Sequence, residues 1–505
     1  MIAAVLVLAL APAAPQGVGH VRSRIEPGGE PLALEFADAD GDGLLDLFLA
    51  VRDEDGRRWI RIHRLRADGA LPVEPDHAVE LKKDIVAWGL GDFTPEEPGV
   101  ELLLTTRAGA YALPTAAEGY RGIRRLAAAE MLLDLPSSRQ LPFWPAVADV
   151  DRDGRDDLAL PVGDGFLIAG GDGSLLGRIE LRPASGIPPA LSRSFKLGPV
   201  TVSAQPLADL FVPDEDPGAI EPPPAVYAAE QLPLPFLVDA DGDGLLDLIY
   251  AWQETIAVHL QRPAGQEPRF PAAADRWYAY GGEEGREIVG LELVDAGGGP
   301  AADLLVTRRS KDVDLSGDWE VLLFLDPFRE PRPLARPDAV AATEASLVLP
   351  YLTRLAPDDG RPDLVLSAWT LEVGLLGAGG VGFQHRLLFY PAAPAGGFPR
   401  RPELSYERDY AADDFTAFSR VPPVPADVLG DGGADLIESD PHGALEIRPI
   451  TAAAGRLEVG QDPARRIEVD ALASEVRVVD LDRNGIGDLV VLRPGSLEVR
   501  VARRN

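Results

Sequence analysis

Short apolar runs alternate with acidic loops along this chain, and the alternation recurs. The segment FADADGDGLLDLFLA from Phe36 returns without a gap as VADVDRDGRDDLALP from Val147, LVDADGDGLLDLIYA from Leu237 and VVDLDRNGIGDLVVL from Val478. Four weaker copies keep the frame and lose loop acids: GLGDFTPEEPGVELLLT from Gly89, LVDAGGGPAADLLVT from Leu293, RLAPDDGRPDLVLSA from Arg354 and PADVLGDGGADLIES from Pro425. Before the first loop, Leu32, Leu34 and Phe36 alternate with Ala33 and Glu35, the period of two expected of a strand. After the loop, residues 47–51 are apolar throughout, which predicts a buried inner strand of a closed sheet ring. Two further strands are predicted in that copy over 59–65 and His77–Leu81, separated by the turn sequence ADGALP.

The last acid of each loop falls at Asp46, Glu101, Asp157, Asp247, Asp303, Asp363, Asp435 and Asp488, a spacing of about 55 residues where nothing is inserted. Repeats of that length, four strands each and without the 3.6-residue period of helical repeats, predict an all-β fold: a β-propeller of four-stranded blades. Eight copies predict eight blades; seven blades with one displaced unit is the alternative count. The last copy supplies about three strands before the chain ends at Asn505, so residues 19–25 are expected to add the missing outer strand and close the ring, hiding two sheet edges. A single domain over 19–505 follows. The two stretched intervals, 170–231 and 371–423, predict surface insertions such as VPDEDPGAIEPPPA, where a rigid scaffold carries binding loops.

The spacing inside the loops carries chemistry. Side-chain oxygens stand at positions one, three, five and nine in Asp38, Asp40, Asp42 and Asp46, with the carbonyl of Leu44 at position seven. The same set recurs as Asp149, Asp151, Asp153 and Asp157 with the carbonyl of Arg155, and as Asp239, Asp241, Asp243 and Asp247 with that of Leu245. It recurs a last time as Asp480, Asp482, Asn484 and Asp488 with that of Ile486. Carboxylates this crowded repel one another unless a cation sits among them. Ca²⁺ takes about six to eight oxygens in flexible geometry, whereas Mg²⁺ demands a strict octahedron, so about four Ca²⁺ sites are expected. An EF-hand would place a bidentate Glu at position twelve and lead into a helix; here that position holds Leu49, Leu160, Tyr250 and Val491, and strand-like runs follow. Among the weaker copies, Asp295 and Asp303 are expected to serve as turn residues, and Asp427, Asp431 and Asp435 form an incomplete site.

The DxDxDGxxDL loop at blade-like spacing resembles the FG-GAP and VCBS repeat families, the propeller modules related to the integrin α-subunit head. The resemblance covers nearly all of the chain after its leader and implies that the four complete loops bind Ca²⁺ in the turn between two strands of a blade. No Phe-Gly precedes the loops and no Gly-Ala-Pro follows them, which makes the bacterial VCBS type the nearer likeness and leaves integrin ligand recognition behind.

Composition narrows the function. Among 505 residues, 81 Asp and Glu outnumber 48 Lys and Arg for a net charge of −33, which opposes a surface that tracks nucleic-acid phosphates. The absence of cysteine removes disulfides, thiolate metal sites and cysteine nucleophiles. The opening MIAAVLVLALAPAAP, residues 1–15, reads as a signal peptide cleaved after Ala11 or Ala13, although no basic residue precedes its apolar core. A secreted or periplasmic monomer without a membrane span is expected. The six histidines, at 20, 63, 77, 259, 385 and 442, form no HExxH pair, and no GxSxG elbow, P-loop or dinucleotide fingerprint occurs. Trp277, Tyr278, Tyr280, Trp319 and Trp369 are candidates for stacking on a sugar or partner, with blade packing the more ordinary role. The expected function is an exported calcium-binding module for a protein or glycan ligand. The alternative is a secreted carbohydrate-active enzyme, since the fold is similar to that of polysaccharide lyases on calcium-bearing propellers.

Overall fold

Each acidic loop joins two antiparallel strands, and the two strands that follow complete a four-stranded sheet. In the first blade of the computed structural model these are Glu30–Ala37, Asp46–Arg52, Arg58–His63 and His77–Leu81, adjacent in that order. Eight four-stranded sheets form one ring, an eight-bladed β-propeller with almost no helix among the described residues; in the seventh, Leu445–Ala453 pairs with both Arg456–Val459 and Arg465–Ile467. The structure describes residues 18–131, 140–163, 165–181, 234–252, 255–280, 285–297, 299–311, 316–330, 334, 336–355, 361–373, 381–393, 396–411, 426–440, 444–453, 456–468, 475–493 and 495–504. The expected leader, residues 1–15, lies outside them, as does most of the first stretched interval.

The ring closes where the repeat runs short. Val18–Ile25 pairs along its whole length with Ser496–Arg504, from Val18 opposite Arg504 to Ile25 opposite Leu497, and thereby supplies the fourth strand of the eighth blade. Every neighbouring pair of blades shares an apolar core. Phe48 and Ile62 meet Trp88 and Leu104 between the first two blades, and Leu47 and Leu49 meet Val490 and Val499 across the closure.

Two expectations are refined. The run 47–51 is the second strand of its blade, and it is buried because both its faces meet neighbouring blades, Phe48 and Ala50 the second and Leu47, Leu49 and Val51 the eighth. The described part of the interval 371–423 is mostly long strands, Asp363–Val373, Val381–Tyr390 and Leu404–Ala411, while 374–380, 394–395 and 412–423 lie outside the described residues. Among the aromatic candidates, Tyr278, Trp319 and Trp369 are buried and Tyr280 packs against the core between the fourth and fifth blades. Only Trp277 is substantially exposed. Blade packing is the role the structure gives the others.

Candidate metal centre

The ninth loop position holds the acid that anchors each turn. Asp46 is buried at the first residue of its strand, where Oδ2 accepts the N–H of Ala39 at 2.8 Å and Oδ1 that of Leu65 at 2.7 Å. Asp157 takes Val150 and Gly171, Asp247 takes Ala240 and Gln261, and Asp488 takes Leu481 and Ala502, all between 2.6 and 2.9 Å. The carboxylate thus ties its own loop to the chain of the third strand or just beyond it. Asp303 and Asp363 do the same in weaker copies, which explains why this acid survives where the rest of the loop has eroded. Burial pushes Asp46, Asp157, Asp247, Asp435 and Asp488 up to about 7 and Asp303 to about 6, against the pull of the backbone N–H donors.

Positions one and five shape the turn. Asp38 accepts the N–H groups of Gly41 and Gly43 at 2.7 and 2.8 Å, and Asp239 those of Gly242 and Gly244 at 2.7 and 2.8 Å. At position five, Asp42, Asp153, Asp243 and Asn484 each accept the N–H of position seven at 2.8–2.9 Å. Asp427 and Asp431 make equivalent bonds in the incomplete seventh loop. Asp295 accepts the N–H of Gly297, so it and Asp303 both act on the backbone. Position four needs a positive φ: Gly41 and Gly242 have +77° and +80°, and in the other two complete loops Arg152 and Arg483 adopt 63° and 55°.

What distinguishes the complete loops is the convergence of carboxylates. Among the described residues four groups of three have ligand atoms within 4.8 Å of one another: Asp38, Asp40 and Asp42; Asp149, Asp151 and Asp157; Asp239, Asp241 and Asp247; Asp480, Asp482 and Asp488. Positions one and three belong to every group, and the third member is position nine in three loops and position five in the first. Asp153, Asp243 and Asn484 therefore stand outside the groups, with their Oδ1 engaged in the turn, and so does Asp46. Asp149 Oδ1, Asp241 Oδ1 and Asp482 Oδ2 are buried and accept no hydrogen bond, and the same holds for Asp92 Oδ1 and Asp435 Oδ1 in two of the weaker loops. The hard, anionic donor set fits Ca²⁺.

Arginines from the outer part of the blade also face position three, which sequence reasoning missed because they lie far along the chain. Arg64 pairs with Asp40, Arg276 lies 3.7 Å from Asp241, and Arg503 lies 3.3 Å from Asp482. Adjacent loops are laced together as well. Val100 donates its N–H to the Asp38 carbonyl at 3.0 Å, Asp156 to Asp92 at 2.7 Å, Ala302 to Asp239 at 2.8 Å, Gly487 to Asp427 at 2.6 Å and Leu45 to Leu481 at 2.7 Å.

No family model matches the chain. No curated protein matches it either. Among solved structures it is similar to BBS1N, crystallised in complex with ARL6DN and soaked with mercury, at 12% identity over 95% of this chain and 94% of that one, with a TM-score of 0.36. It is also similar to Sqt1 from Chaetomium thermophilum, at 10% identity over 98% and 100% of the two chains, with a TM-score of 0.42. These likenesses are distant, and the blade count rests on the strand order itself.

Proposed function

We propose that this propeller is an exported binding module whose blade turns are held by about four structural Ca²⁺ ions and whose loops engage a protein or glycan ligand. The observation that carries the metal is the convergence of three carboxylates in four loops of the same register. Asp38, Asp40 and Asp42 would hold the ion in the first loop, and positions one, three and nine would hold it in the others. The ion supplies positive charge that relieves repulsion among these groups. Asp42 and Asp153, Asp243 and Asn484 keep the turn in shape around it, and the carbonyls of Leu44, Arg155, Leu245 and Ile486 are the remaining candidate ligands. Export is supported by the apolar segment 1–15. A rigid ring that presents loops on its faces supports the binding role.

Isothermal titration of chelator-treated protein with Ca²⁺ should find about four sites, and Asp241→Ala should remove one. Chelation should lower the melting temperature. A chain that binds no Ca²⁺ and melts alike with and without chelator overturns the metal reading. Glycan arrays and pull-downs from extracellular material, run in calcium, test the ligand; retention of nothing by either defeats the binding role.

A further inference from the structure

The second blade breaks the carboxylate pattern while keeping the turn. Its loop runs from Asp92 through Thr94, Glu96 and Glu97 to Glu101, yet these groups form none of the convergent sets among the described residues. Glu101 is buried at the start of its strand and accepts the Phe93 N–H at 2.6 Å, as the ninth-position Asp does elsewhere.

In three complete loops an arginine meets the position-three carboxylate; here two arginines meet a backbone carbonyl instead. Arg155, at position seven of the third blade's loop, sends its side chain back across the seam: Nη1 donates to the Phe93 carbonyl at 3.1 Å and Nη2 to Glu96 Oε1 at 2.7 Å. Arg124, from the second blade's outer strand, reaches the same place. Its Nη2 donates to that carbonyl and to Thr94 Oγ1, both at 3.1 Å, and lies 3.6 Å from Glu101 Oε1, while Nη1 donates to the Gly171 carbonyl of the third blade at 3.0 Å. Two guanidinium groups therefore meet on one carbonyl oxygen, flanked by carboxylates, beside a cavity of about 260 Å³ that both arginines line.

Position seven of the following loop carries an arginine after two of the four incomplete loops and after none of the complete ones. The complete loops of blades one, three, four and eight are followed by Gly99, Leu245, Ala301 and Leu44, all uncharged. The second loop is followed by Arg155. The fifth, where Gly297 and Gly299 replace the acids of positions three and five, is followed by Arg361, whose stem lies so close that a Cβ on Gly297 would come within 3.0 Å of its Cγ. Gly433 and Ile486 follow the sixth and seventh loops.

We propose that the second blade binds no metal and that Arg155 and Arg124 supply there the fixed positive charge that an ion supplies in the complete loops, making the seam between the second and third blades metal-independent. The contrast with the other seams rests on the calcium reading above; the role of the arginines does not. Guanidinium suits the place because its planar fork donates to several oxygens at once and stays charged.

The test is thermal unfolding of the full chain in chelator and in millimolar Ca²⁺. Arg155→Met should melt about 2–5 °C lower than wild type in chelator. Calcium should restore part of that loss beyond the increment wild type gains, and native mass spectrometry should show one more ion bound than in wild type, because Asp92, Glu96 and Glu101 have lost their counter-charge. Should this variant fail to fold, Arg155→Gln is read by the same loss in chelator and recovery in calcium, while Arg155→Lys, which keeps the charge, should gain no bound ion. No loss in chelator, or a loss that calcium leaves untouched, reduces Arg155 to packing and overturns the proposal. So does a wild-type metal site that Glu96→Gln abolishes. Wild type that binds no Ca²⁺ at all defeats the preceding reading alone, since the variant's loss and its recovery are still measured.

Discussion

Arg22 on the first strand grips Glu498 on the last, with Nε 2.8 Å from Oε1 and Nη2 2.9 Å from Oε2. The pair spans the closure of the ring, and Glu498 also takes Arg493 and Arg500, each at 2.6 Å. Burial alone would raise the Glu498 carboxyl; Arg22, Arg500 and Arg493 outweigh it and hold the group below the usual range. Replacing Glu498 by Ala removes the carboxylate that faces the buried Arg493 guanidinium as well as Arg22 and Arg500. A loss of about 3 kcal/mol is expected in urea unfolding. Glu498→Gln, which keeps hydrogen-bond acceptance, should lose less.

Deletion of residues 1–26 removes the strand that pairs with Ser496–Arg504 and leaves the eighth blade with three strands. An open edge is a template for pairing with another chain. The truncated protein should melt lower and self-associate, read by light scattering after size exclusion. A monomer of unchanged melting temperature would show that the closing strand is dispensable.

Loop carboxylates should separate into two classes by their dependence on metal. Asp247 is buried and accepts two backbone N–H groups, from Ala240 and Gln261, so Asp247→Ala leaves both donors unsatisfied whether or not an ion is present. A cost of about 2–4 kcal/mol is expected in chelator, and a larger one in calcium because Asp247 is also a candidate ligand. Asp241 offers an oxygen that accepts no hydrogen bond, so Asp241→Ala should cost stability chiefly in calcium. Urea unfolding of both variants in the two buffers checks this, and equal behaviour of the pair would contradict it.

The blade count is legible in the sequence because the ninth acid ties its loop to the chain of the third strand or just beyond it, whereas the acids of positions one and five bond only within the loop. Asp303 and Asp363 persist beside glycine and proline for that reason, and they carry the frame through loops whose other oxygens are gone. The closing strand is legible because a ring one strand short needs a donor, and 18–25 lies at the other end of the chain. Other features are hidden. Strand order could not tell that 47–51 is a second strand, because burial on both faces looks the same wherever it occurs. Arg64, Arg276 and Arg503 escaped notice since their pairing with position three depends on the return of outer strands. Arg155 was read for its carbonyl, and its side chain turned out to serve the preceding blade.

Acid should weaken the fold through its buried histidines. The His385 ring stacks on Trp369 with centroids 3.6 Å apart, and Nε2 lies 2.9 Å from Ser367 Oγ. Burial, with Arg408 nearby, lowers its pKa to about 3, and burial likewise lowers His259 to about 4. A histidine titrates near 6.5 in the unfolded chain, so below that pH the unfolded state binds a proton that the fold refuses. Stability from this source is therefore complete above 6.5 and lost as pH falls toward 3, by at most about 1.4 kcal/mol per pH unit for each histidine. Glu292 has the opposite sign: burial raises it to about 7, so its contribution is present in acid and lost as pH rises through that value. Comparing wild type with His385→Gln cancels such background. The stability gap between the two should narrow as pH falls from 6.5 to 4 in urea unfolding, and a gap independent of pH would show that His385 does not titrate with folding.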